Sequence, residues 1–227
     1  MKRQSKSKKR EKEVTTPYYK IIIIGENEVG KTQLMHRLND ENFDEKYSPT
    51  YGIDFRIKSI VEDKNVKCDL QILDIAGEND EAHLKIEDDF IKDAHAFLCL
   101  FDLSDQSSLD RAIKIMDNYK EKIKGENVNA SSKIWYLIGN KKDLDLKREG
   151  VPNYYKAKFG NYFEVSAKTS KDEEFQRIID VIIHDIDLIE NESRFHLQEN
   201  FKSSNEPFEI DFKKNHENIF DEECNIF

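Results

Sequence analysis

The segment Gly25-Glu26-Asn27-Glu28-Val29-Gly30-Lys31-Thr32 carries two glycines, a lysine and a threonine at the spacing G-x-x-x-x-G-K-[ST]. It follows an apolar run, Tyr18–Gly25 (YYKIIIIG), and opens a stretch with helical spacing. Glycines let the backbone curl so that successive N–H groups point at phosphate oxygens, and a helix N-terminus adds partial positive charge. Lys31 then sets an ammonium on the β- and γ-phosphates, and Thr32 offers a hydroxyl to Mg²⁺. The pattern implies a nucleoside triphosphate site.

Three further strings narrow the base and the metal. Asp74-Ile75-Ala76-Gly77 ends a strand-like run, where a carboxylate reaches the Mg²⁺ shell and the Gly77 N–H meets the γ-phosphate. Asn140-Lys141-Lys142-Asp143 follows another such run. A carboxylate accepts two parallel hydrogen bonds, matching the N1–H and 2-amino donors of guanine, a pair that adenine lacks. Asp143 is therefore read as the guanine selector, which disfavours an ATP-using kinase. Ser166-Ala167-Lys168 adds a backbone N–H for the purine carbonyl oxygen.

Elements must bring these strings to one edge. Ile53–Glu62 and Val66–Ile75 alternate apolar and polar residues around Lys64-Asn65, the sign of a hairpin. Ala94–Leu103 and Lys133–Gly139 read as buried strands, with a helical stretch Leu109–Ile123 between them. Pro152–Phe159 reads as a short helix, Tyr162–Val165 as a last strand and Glu174–Ile189 as a closing amphipathic helix. Strands alternating with helices predict an α/β fold, and with the G-x-x-x-x-G-K-[ST] string at the first strand–helix turn the expectation is the P-loop NTPase three-layer sandwich. It should hold about six mostly parallel strands, one antiparallel, with helices on both faces.

The 227 residues include 36 Lys+Arg against 46 Asp+Glu, giving a formal net charge of −10. Residues 1–13 hold seven Lys/Arg against two Glu, whereas 190–227 hold ten Asp/Glu against four Lys/Arg. The expected organisation is a basic arm at 1–17, a folded domain at 18–190 and an acidic tail at 191–227. An acidic body argues against nucleic acid as a partner, because such binding needs phosphates neutralised by Lys and Arg. No apolar run is long enough to span a bilayer, and the basic start is not followed by the apolar segment of a secretory signal. Three cysteines, Cys68 and Cys99 among them in apolar runs, give no disulfide or zinc framework and point to a reducing compartment. His83, His95 and His184 read as surface or helix-packing residues.

Across Tyr18–Glu190 these motifs resemble the Ras superfamily of small GTPases, and the stretch Phe43-Asp-Glu-Lys-Tyr47-Ser-Pro-Thr50-Tyr-Gly-Ile-Asp54-Phe55 is most similar to its Rab branch. The resemblance implies that Phe43 packs edge-on against guanine, Tyr47 covers the phosphates and Thr50 joins Thr32 and Asp74 around Mg²⁺. The nucleotide would then lie on Asn27, Glu28, Val29, Gly30, Lys31, Thr32, Gln33, Phe43, Tyr47, Thr50, Gly77, Asn140, Lys141, Asp143, Leu144, Ser166, Ala167 and Lys168. A second switch should span about Ile75–Lys92. Members cycle between GTP and GDP forms, the γ-phosphate holding both switches. The implied partners are an exchange factor, a GTPase-activating protein, effectors, a prenyltransferase and a GDI-like chaperone. The implied place is the cytoplasmic face of an intracellular membrane, in vesicle traffic.

Several residues depart from that pattern. Gln usually follows the glycine of the second switch, and this chain has Glu78, which joins Gly77 and Lys31 as the set expected at the reacting phosphate. Gln can accept from the attacking water and donate toward the γ-phosphate; a carboxylate only accepts, and its charge opposes the phosphate. Asn27 and Glu28 stand where small residues are common, Ile75 where Thr is usual and Leu73 where Trp is usual. Slow hydrolysis is the expectation; the alternative is a GTP-bound scaffold that only recruits effectors. Cys224-Asn225-Ile226-Phe227 fits C-a-a-X, with Cys224 the expected lipidation site and Phe227 favouring geranylgeranyl.

Overall fold

The computed structural model describes residues 16–46, 50, 52–75, 90–125, 132–144 and 161–203, with side-chain placement up to residue 192. Six strands form one sheet in the order β2-β3-β1-β4-β5-β6. They are β1 (Tyr18–Gly25), β2 (Ile53–Glu62), β3 (Asn65–Ile75), β4 (Ala96–Asp102), β5 (Ile134–Asn140) and β6 (Tyr162–Glu164). Three helices are described: α1 (Lys31–Leu38), α2 (Gln106–Gly125) and α3 (Asp172–Ser203). Only β2 runs antiparallel to its neighbour. This is the α/β sandwich that the sequence predicts.

Why these runs pair this way follows from their burial. β1 is buried at every position after Tyr18, as a central strand covered on both faces must be. Ile22, Ile24, Phe97, Cys99 and Leu137 join Leu109, Ala112, Met116 and Tyr119 of α2 in one cluster. The alternate residues Ile21, Ile23, Leu98 and Tyr136 are buried on the other face. There the Tyr136 hydroxyl donates to Asp185 of α3 at 2.7 Å, and Tyr19 donates to Asp187 at 2.5 Å. Each fully buried Ile, Leu or Phe contributes roughly 1.5–3 kcal/mol, so the helices are held mainly by this apolar contact.

The parallel register sets the carboxyl ends of the strands side by side: Ile23 faces Asp74, Gly25 faces Leu100, and Asp102 faces Asn140. One edge of the sheet thus collects the phosphate loop, Asp74, Asn140 and the segment after β6.

Some elements differ in detail from expectation. The hairpin turns on Asp63 and Lys64, both with positive φ (49° and 67°), and Asn65 already belongs to β3. Two consecutive left-handed residues make the tight turn whose twist matches the strands. α3 runs on to Ser203, past the expected end at Ile189. The added residues include Glu, Gln, Leu and Lys, good helix formers, with no Pro or Gly among them. The described residues fall into two units, one up to Asp187 and one from Leu188 onward. His95 is half-buried and packs on β1: its Nδ1 accepts the backbone N–H of Lys20 at 3.0 Å, and its ring sits 5.5 Å from that of Tyr19. His184 is exposed beside Asp185, and His83 lies outside the described residues, as does the expected helix at Pro152–Phe159.

Candidate functional site

The phosphate loop turns from β1 into α1 through residues in the left-handed region: Gly25 (φ 147°), Glu28 (66°) and Gly30 (94°). At Gly30 a Cβ would fall 2.4 Å from Asn140 Nδ2, so both the backbone angle and the space require glycine. Glu28 takes the same kind of conformation with a full side chain, which a residue with a Cβ adopts at a cost. α1 has no side-chain cap and no acidic residue in its first turn. Its opening N–H groups and positive dipole end therefore face the loop, as an anion site needs. Lys31 is 8% exposed, and its ammonium donates to the Glu26 carbonyl oxygen at 2.9 Å.

Beside it, three expected metal-shell residues meet. Thr32 Oγ1 donates to Asp74 Oδ2, Thr50 Oγ1 donates to the same oxygen at 3.2 Å, and the two hydroxyls lie 2.9 Å apart. Asp74 is fully buried, and its second oxygen, Oδ1, has no hydrogen-bond partner among the described residues. Burial pushes its carboxyl above the ordinary carboxylate range, against the pull of Thr32, Lys31 and Thr50. A buried carboxylate whose Oδ2 meets two hydroxyls and whose Oδ1 has no partner among the described residues supplies the hard oxygen donors that a divalent cation takes, so the residues fit Mg²⁺.

The base-side strings are brought to the same edge. Asn140 is buried; its Nδ2 donates to Val29 O at 2.9 Å, and its Oδ1 accepts Ala167 N–H at 3.0 Å. The Ser166 hydroxyl donates to Asp143 Oδ1 at 2.5 Å and accepts Thr169 N–H at 2.9 Å. One carboxylate oxygen is thereby fixed, which orients the group read as the base selector. Lys141, at φ 60°, pairs with Asp102 at 2.7 Å. Burial raises the Asp102 carboxyl, but Lys141 and two hydrogen bonds from Ser104 outweigh it and hold the group below its usual range.

Phe43 is half-buried, with Lys168 Nζ 5.9 Å from its ring centroid, and Lys168 also pairs with Glu45 at 3.3 Å. Gln33 Oε1 accepts Asp44 N–H at 2.9 Å, which ties the same segment to α1. Val29 is buried, Asn27 is exposed, and Leu144 closes the turn by donating its N–H to Lys141 O. Tyr47, Gly77, Glu78 and Cys224 lie outside the described residues.

A model of the Ras family matches residues 20–186, which takes in the phosphate loop, Asp74, the Asn140–Asp143 string and the Ser166–Lys168 turn. The chain is 34% identical to Ras-related protein Rab-1 of Theileria parva over 69% of either chain. It is 34% identical to Ras-related protein Rab-13 of Bos taurus, over 67% of this chain and 72% of that one. It is 30% identical to Ras-related protein RabC of Dictyostelium discoideum, over 74% and 84%. The chain belongs to the Ras family, in its Rab branch.

It is a GTPase of that family, whose members bind GTP or GDP with Mg²⁺ as a general property. For this Rab GTPase, sequence reasoning missed Asp102, Glu26 and Arg111. Asp102 could have been found by the rule that found Asp74 and Asn140, since it too ends a parallel strand. Arg111 carries no motif; only the fold brings it to the phosphate loop, where it pairs with Glu26.

Proposed function

We propose that the chain is a GTP/GDP switch of membrane traffic that hydrolyses GTP slowly. The observation that carries the reading is the meeting of Thr32 and Thr50 at Oδ2 of the buried Asp74, close to the buried Lys31. Bound there, Mg²⁺ would neutralise phosphate charge, with Thr32 and Thr50 as hydroxyl ligands and Asp74 as a carboxylate in its shell. Lys31 and the N–H groups at the head of α1 bind the β- and γ-phosphates. Asp143 and Ala167 N–H read guanine, held in place by Ser166 and Asn140, while Phe43 and Lys168 flank the base. Tyr47 and Gly77 close over the phosphates.

Glu78 stands where a residue must position the attacking water. A carboxylate accepts from that water but donates nothing to the γ-phosphate and repels it, which supports slow turnover. Thr50 precedes β2, whose outward residues Phe55 and Ile57 are 60% and 55% exposed. An apolar strip this close to a γ-phosphate-held segment suits effectors that read the GTP form. Geranylgeranylation of Cys224, with the basic arm at Lys2–Lys12 as a second signal, would hold the protein on an anionic cytoplasmic leaflet. Exchange factor, activating protein, prenyltransferase and a GDI-like chaperone complete the cycle.

The test is single-turnover hydrolysis of bound GTP by wild type and Glu78→Gln. The reading expects slow wild-type turnover that the substitution accelerates. Tightly held GTP with no turnover in either form would leave a scaffold in place of a switch.

A further inference from the structure

The phosphate loop of this chain holds more carboxylates than cations. Gly25–Thr32 holds two carboxylates, Glu26 and Glu28, and one cation, Lys31. Glu26 matters twice: its carbonyl oxygen receives the Lys31 ammonium at 2.9 Å, and its carboxylate sits in the loop that must accept a polyphosphate. The carboxylate is met by Arg111 of α2, whose Nε donates to Glu26 Oε2 at 2.5 Å. The rest of the guanidinium is fixed as well: Nη2 donates to Asp105 Oδ2 and Nη1 to Ser107 Oγ, both at 2.6 Å. Asp105 in turn accepts the backbone N–H of Ser107 at 2.9 Å, so the head of α2 holds the arginine as a rigid fork.

We propose that Arg111 is a positioning residue for the triphosphate: it neutralises Glu26 and fixes the loop segment on which the Lys31 ammonium rests. The inference rests on the reading of this edge as a GTP site. Because GTP carries more negative charge than GDP, an unpaired Glu26 discriminates against GTP. Arg111 thereby biases the switch toward its triphosphate form. Both side chains are about two-fifths exposed (42% for Arg111 and 39% for Glu26), so solvent screens the effect and its size is modest.

The experiment measures association and dissociation of fluorescent GTP and GDP on the full chain with Mg²⁺, for wild type, Arg111→Ala, Arg111→Lys and Glu26→Gln/Arg111→Ala. The expected result is about a three- to fivefold loss of GTP affinity in Arg111→Ala, with a smaller loss for GDP, shrinking at high salt. Arg111→Lys, which keeps the charge but not the fork, should recover part of it. The double variant should recover most of the GTP preference, because the unpaired carboxylate is gone. Equal loss for both nucleotides, or no recovery in the double variant, would make the pair merely structural and overturn the proposal. Wild-type affinities unchanged by Arg111→Ala would overturn it too while leaving the GTPase reading intact. A wild type that binds no guanine nucleotide would overturn both.

Discussion

The Asn140 amide lies against the carbonyl oxygen of Val29 and donates to it at 2.9 Å, joining the base side of the site to the phosphate loop. Gly30, the next residue, has no room for a Cβ because of that same amide. The two halves of the site are therefore set at a fixed distance by one buried side chain. Asn140→Ala should leave Val29 O and Ala167 N–H without partners in a dry environment and cost about 2–3 kcal/mol. Urea unfolding of the nucleotide-free protein checks this as a lowered midpoint with unchanged slope. Gly30→Ala should likewise weaken GTP binding more than tenfold, since strain at a positive φ costs on the order of 1–3 kcal/mol before the clash with Asn140 is counted.

Glu28→Gly should have the opposite sign. At φ 66° the glutamate bears the left-handed penalty of about 1–2 kcal/mol, partly offset by the entropy that glycine loses on folding. The expected net is a gain of up to about 1 kcal/mol, read as a rise in the thermal midpoint of the nucleotide-free chain. A fall in the midpoint would mean that the Glu28 side chain contributes a contact outweighing its strain.

The pH dependence of folding has a defined direction at Asp102. Its folded-state carboxyl is held below its ordinary value, with Lys141 and Ser104 outweighing burial. The stability it contributes is thus fully present above the unfolded value near about 3.9 and is lost as pH falls through the folded one. Glu41 has the same sign, its hydrogen bonds from Asn39 and Arg56 outweighing burial. Asp74, raised by burial, has the opposite sign. Comparing wild type with Asp102→Asn by urea unfolding from pH 6 to pH 3 isolates the Asp102 contribution. The difference between them should be constant above about pH 5 and shrink below about pH 4.

Much of the fold was legible because burial writes itself into periodicity. Tyr18–Gly25 is apolar apart from Lys20 and is the strand covered on both faces, with the same bounds. Ile53–Glu62 alternates and is a strand with two unlike sides, but against that rule its apolar Phe55, Ile57 and Val61 are exposed while Arg56 and Lys58 are half-buried. The turn lies one residue earlier than the spacing predicts, since it is Asp63 and Lys64 that adopt positive φ. The nucleotide strings were legible since each is a contiguous motif at a strand end. Contacts between distant segments were not: nothing in the spacing of Arg111 and Glu26, or of Lys141 and Asp102, shows that they pair. The partner of His95 is illegible for the same reason, as only the fold brings its Nδ1 to the Lys20 N–H.

The central claim is that one sheet edge binds guanine nucleotide through Asp143 and Mg²⁺ through Thr32, Thr50 and Asp74. The most direct measurement is equilibrium binding of GTP, ATP and xanthosine triphosphate to wild type and Asp143→Asn, each with Mg²⁺ and with excess chelator. The account predicts that wild type prefers GTP over ATP by at least about a hundredfold and loses GTP affinity in chelator. Asp143→Asn should turn toward xanthosine triphosphate, because its amide donates to the 2-oxo group where the carboxylate accepted from the 2-amino group. Equal binding of ATP and GTP by wild type, or GTP affinity indifferent to both Asp143 and Mg²⁺, would contradict it.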